Sequence, residues 1–154
     1  MSKVRILAAR DSEVLHGIAD FIAYEGNGVI LDPTNTDNLA LASGQRAFVL
    51  QRDIVETASL EESVFNLNFK TPTKKGTQAT PRRVTLLEVE GAERLVPSGT
   101  GAITPDTAAH TALEWYQGRM RVAQGGNEVA GYLRAQKTPE YPEAGTARIL
   151  VELL

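Results

Sequence analysis

The chain carries only two histidines, and one has acidic neighbours at a regular spacing. Asp106 lies four residues before His110, and Glu114 lies four after it. On a helix the three would share a face, where they could hold a metal ion or orient an imidazole. A metal site, however, uses three or four protein ligands backed by a second shell, and no further histidine matches. The competing reading is a solvated polar patch beside a turn. His16 with Asp20 offers less. Ser98-Gly99-Thr100-Gly101 lacks the Gly-x-Ser-x-Gly pattern of an exposed serine nucleophile. It also lacks the third glycine of a dinucleotide loop, so a turn between strands is expected there. A Ser-His-Asp set assembled in space stays open. Glu61 and Glu62 are adjacent carboxylates, and Glu88 and Glu90 point the same way on a strand. Solvent exposure accounts for these better than general acid–base work. The expectation is therefore no catalytic, cofactor-binding or metal-binding residue, no cofactor, and no enzyme.

Charge gives a second candidate. Residues 70–83, KTPTKKGTQATPRR, hold Lys70, Lys74, Lys75, Arg82 and Arg83 and no acidic residue. The charge is uneven. Residues 1–69 carry 5 basic and 10 acidic groups (-5), and residues 84–154 carry 6 and 9 (-3). A basic loop between acidic halves could touch a phosphate backbone or an acidic protein surface; otherwise it is simply solvated. No aromatic residue is interleaved, so base stacking is not expected. The net charge of -3 argues against a general nucleic-acid binder.

These residues need a scaffold, and the sequence favours strands. There is no cysteine, so neither a disulfide nor a thiolate metal site is expected. The start, MSKVRILAARDSE, has a four-residue apolar run, too short for a signal peptide. No apolar run approaches the roughly 20 residues that span a bilayer. Thirteen glycines, seven prolines and many Thr and Val favour strands and turns.

The stretch GRMRVAQGGNEVAGYLR, 118–134, reads as a hairpin about a 124–127 loop. Val122 would pair with Val129 and Arg119 with Tyr132. Met120, Val122, Val129 and Leu133 would share an apolar face, with Arg119 over the Tyr132 ring. VTLLEVE, 84–90, sets Thr85, Leu87 and Val89 against Glu88 and Glu90. RILVELL, 148–154, sets Ile149, Val151 and Leu153 against Arg148 and Glu152. GVIL, 28–31, and QRAFVLQRDI, 45–54, read as further strands, and Lys3–Ala8 as a first strand or an arm. Residues 11–24 fit a helix or strands, and Gly17 tips the reading toward strands. Residues 108–116 fit a short helix or a strand. The fold class expected is mainly β, an antiparallel barrel or sandwich with long loops and room for one short helix. It would form one domain over 1–154, with subdomains 1–69 and 84–154 joined by the basic loop as the alternative.

The C-terminal pattern then has a likeness. GTGAI from Gly99, LEWYQGRMRVA from Leu113, GGNEVAGYL from Gly125 and GTARILVEL from Gly145 follow one another. Together, over about residues 97–154, they resemble the small β-rich proteins that decorate tailed-bacteriophage capsids, called cement or head decoration proteins. The resemblance implies a virion structural protein. Such a protein is made in the bacterial cytoplasm and binds the outer surface of the assembled major capsid protein lattice. It also implies self-association, as a homotrimer or else a dimer, and no membrane. The family acts through surfaces, so no functional residue carries over. The contact candidates are Lys3, Arg5 and Arg10 in the first segment, the five basic residues of 70–83, and Tyr141 in the loop 135–145. Another virion component of tail, neck or baseplate is the alternative. A small β-barrel enzyme or ligand-binding protein using His110, Asp106 and Glu114 is a third reading.

Overall fold

The structure, a computed structural model, describes residues 3–56, 72–142 and 147–154. Met1, Glu61, Glu62, Lys70 and the end of the 135–145 loop lie outside the described residues. No helix occurs among the described residues. The N-terminal part supplies β1 (Val4–Val14), β2 (Gly17–Ala19), β3 (Gly28–Leu31), β4 (Leu39–Leu41), β5 (Phe48–Val49) and β6 (Ile54–Val55). Then come β7 (Thr73–Lys74), β8 (Thr77–Ala79) and β9 (Arg82–Glu90). The chain closes with β10 (Ala112–Tyr116), β11 (Arg119–Val122), β12 (Gly131–Lys137) and β13 (Arg148–Leu153). One antiparallel sheet runs β11-β10-β12-β13-β9-β5-β3-β4 and curls into a half-barrel. Val89 pairs with both Val4 and Ile149, so β1 and β13 flank β9 on opposite sides. β2–β8 and the parallel β6–β7 form two small separate sheets.

The fold is β as the composition implies, and residues 11–24 are extended where they are regular. Several finer expectations change. The strands within 118–134 do not pair with each other. β10 lies between them, paired to β11 through Tyr116–Arg119 and to β12 through Leu113–Gly131. The hairpin instead closes at Gln117-Gly118, where both residues have positive φ (51° and 79°). Two such residues make the tight turn whose twist matches paired strands. ALEWY carries Leu113 and Trp115 into the same core as Ala130 and Leu133. Arg119 accordingly does not cover Tyr132; Arg121 lies over the Tyr116 ring, 4.1 Å from its centroid.

Strict alternation also fails on β9. Leu87 and Val89 face the core, but so does Val84, at odd spacing. Between Val84 and Leu87 the register with β1 slips twice. Leu7 is extra on β1 and Thr85 is extra on β9, and the pairing of Val4–Val89 is recovered at Ala9–Val84. Paired bulges thus flip the inward phase of both strands together, and Ile6 and Ala9 both pack on the same core. The 70–83 stretch is not one loop: it contains β7, a turn, β8 and the start of β9. QRAFVLQRDI keeps only two short strands, separated by a bend at Gln51 and Arg52.

Two clusters of buried side chains hold the fold. The larger joins β1, β9, β10, β12 and β13 around Trp115, Leu113, Leu87 and Ile149. Full burial of each such side chain contributes about 1.5–3 kcal/mol. The smaller joins Ala19, Ala23, Val29, Leu39, Leu50, Ile54 and Ala79. Trp115 lies against Gly28, where a Cβ would meet the indole at 2.5 Å. That contact sets β10 close to β3.

Candidate functional site

Glu88 and Glu90 are buried, not solvated. Arg148, on the neighbouring strand β13, donates from Nε to Glu88 at 2.8 Å and from Nη1 to Glu90 at 3.2 Å. Lys137 on β12 donates to the second Glu88 oxygen at 2.5 Å. Glu90 also accepts the backbone N–H groups of Glu140 (3.0 Å) and Tyr141 (3.3 Å). Arg5 on β1 stands 3.8 Å from Glu88. Burial alone would push the Glu88 carboxyl up. Hydrogen bonds from Lys137 and Arg148, with their charges, outweigh it and hold the carboxyl below the usual glutamate range. The cluster therefore ties β1, β9, β12, β13 and the loop after β12 together as charged, paired groups. It works as a staple inside the sheet.

Glu114 plays a similar part. It is buried on β10 and accepts from the Gln124 N–H at 2.6 Å and the Asn127 side chain at 2.7 Å. It thereby fixes the 124–127 loop, with Arg121 3.6 Å away. The set of Asp106, His110 and Glu114 on one helical face is not formed. His110 lies exposed in a turn with φ 68°, and its N–H donates to Leu133 O. No group of three His, Cys, Asp or Glu suited to a metal occurs among the described residues. His16 and Asp20 are both exposed.

The contact candidates are spread over several elements. Lys3 lies near the Tyr141 ring, 5.9 Å from its centroid. Arg10 is exposed and pairs with Glu13 at 3.7 Å. Arg82 and Arg83 belong to β9: Arg82 is bonded to Asp11, and Arg83 stands by Glu13 and over the Phe48 ring. Lys74 and Lys75 sit on β7 and the turn after it. Of the basic residues expected to act as one loop, Arg82 and Arg83 are thus engaged by the acidic end of β1.

A different segment stands out. Eight large apolar side chains among the described residues are exposed, and six of them fall between residues 7 and 31: Leu7, Val14, Ile18, Ile22, Tyr24 and Leu31. Ile22 and Tyr24 line an open groove with Leu41, Gln117 and Arg119. Alternation could have marked Ile18, which lies between buried Gly17 and Ala19 on β2. Ile22 and Tyr24 lie outside any named strand but flank buried Ala23, which bridges Ile54, so the same alternation turns them outward. No family model matches the chain, and neither a curated protein nor a solved structure matches it.

Proposed function

We propose that this chain is a virion structural protein that docks on the outside of an assembled major capsid protein lattice and stabilises the shell. The observation that carries this reading is the concentration of exposed apolar side chains between Leu7 and Leu31 on a stapled β scaffold. Of these side chains Ile22 and Tyr24 share one open groove with Leu41, and contiguous exposed apolar groups mark a docking surface. The sequence likeness over 97–154 supplies the kind of partner. Weak contacts suffice there, because many copies bind one symmetric shell. Binding only the expanded shell stabilises that state by mass action.

The test is direct. Purified chain is mixed with expanded and unexpanded shells, and pelleting and shell melting are measured. Binding to expanded shells with a raised melting temperature is expected. Failure to pellet with either shell would remove the reading. Imaging a labelled copy on intact particles separates the capsid from tail, neck or baseplate.

A further inference from the structure

We infer that the pocket between the bend at Gln51 and Arg52 and the strands β7 and β8 is a binding site for the phosphate group of a small molecule. Its walls are Gln51 and Arg52, Thr73 of β7, and Gln78 and Thr80 at and just after β8, and it encloses about 270 Å³. It is more enclosed than the groove at Ile22 and Tyr24. The chain fixes these walls to one another. The Gln51 side chain donates to Thr80 O at 3.3 Å, and the Thr73 N–H donates to Asp53 O at 2.6 Å. Leu50 and Ala79, buried in the smaller core, also line the space. The pocket is therefore largely pre-formed, as ligand sites commonly are.

The lining names the ligand. Every polar side chain in it can donate a hydrogen bond: the Arg52 guanidinium, the Gln51 and Gln78 amides, and the Thr73 and Thr80 hydroxyls. Among the described residues no carboxylate lines it, and none pairs with Arg52. The carboxylate of the adjacent Asp53 is turned to other use, accepting the Glu25 N–H at 2.7 Å. Lys74 and Lys75 follow Thr73 and have no carboxylate partner among the described residues, so the local field is positive. An anion is what such a set selects. The two coplanar oxygens of a carboxylate are satisfied by a guanidinium fork alone. Hydroxyl and amide donors on the other walls suit the additional oxygens of a phosphate, which as a monoester also carries more charge. A recessed pocket favours a terminal phosphate over one held between two esters in a polymer. This inference concerns a small ligand and does not rest on the docking proposed above.

The test is titration of the purified chain with inorganic phosphate and with glycerol phosphate at constant ionic strength, followed by amide chemical shifts. Saturable shifts centred on Arg52, Thr73, Gln78 and Thr80 are expected. Arg52→Gln should weaken binding about tenfold or more, through loss of charge-assisted hydrogen bonds. Arg52→Lys should weaken it less, because the charge stays and only the fork is lost. Arg46→Gln, at an arginine that pairs with Glu128 outside the pocket, should leave binding unchanged. Arg52 is exposed, so its variants should melt with the parent chain. Shifts that never saturate, or that survive Arg52→Gln, would overturn the site. So would acetate binding as tightly as phosphate, or a short oligonucleotide binding these residues more tightly than glycerol phosphate does.

Discussion

At the scale of single residues, Arg148 and Glu88 form a buried ion pair between neighbouring strands. Both are about 1–2% exposed, and each is matched by more than one partner. Removing one member leaves a buried charge without compensation. Arg148→Met should therefore cost about 3–5 kcal/mol, read as a lowered denaturant midpoint. Glu88→Gln keeps the shape and loses charge-assisted hydrogen bonds. It should cost about 1.5–3 kcal/mol at neutral pH.

The pH dependence has a defined sign. The folded Glu88 carboxyl titrates below the ordinary value of about 4.3. Its contribution is complete above that value and is lost as pH falls through the lower folded value. Acid titration of Glu88→Gln should thus show a shallower loss of stability below about pH 4.3 than the parent chain. The sequence showed that Glu88 and Glu90 share a face. It did not show that the face is covered, because the cover comes from Lys137, Glu140, Tyr141 and Arg148, some fifty or more residues on. Alternation reports direction, not what lies in that direction.

At the scale of elements, turns and glycines decide which strands meet. VTLLEVE and RILVELL were legible as strands, and they are neighbours, β9 and β13. The 118–134 pairing was misread because the apolar pattern fits more than one partner, and only the Gln117-Gly118 turn selects among them. Gln at positive φ is disfavoured relative to Asn. Gln117→Asn should stabilise the chain by up to about 1 kcal/mol, measured as a raised melting temperature. Glycines separate by what surrounds them. A Cβ at Gly131 would meet Glu152 O at 2.2 Å, while one at Gly125 meets nothing within 4 Å. Gly131→Ala should cost about 3 kcal/mol or more through backbone displacement. Gly125→Ala should cost only about 1–2 kcal/mol, for its positive φ. The paired bulges at Leu7 and Thr85 lay beyond any single-strand pattern, since each is defined only by its partner.

At the scale of the whole molecule, the scaffold is fixed inside by two cores and a charge staple, and it leaves one N-terminal segment apolar and exposed. The mainly β class followed from composition. The exposed segment was legible only in the strand reading of residues 11–24, whose alternation turns Ile18, Ile22 and Tyr24 away from Gly17, Ala19 and Ala23, whereas the helical reading put Ile18 and Ile22 on the core face. Replacing Ile22 and Tyr24 together with Ser should leave the melting temperature of the chain nearly unchanged, since both are at least 40% exposed. The same double variant should weaken pelleting with expanded shells by tenfold or more, if those side chains are buried on docking. The most direct measurement is backbone hydrogen exchange of the chain alone and on expanded shells. The account predicts slowed exchange concentrated between Arg5 and Leu31. Slowing confined to the 124–142 region, or none at all while the chain stays bound, would contradict it.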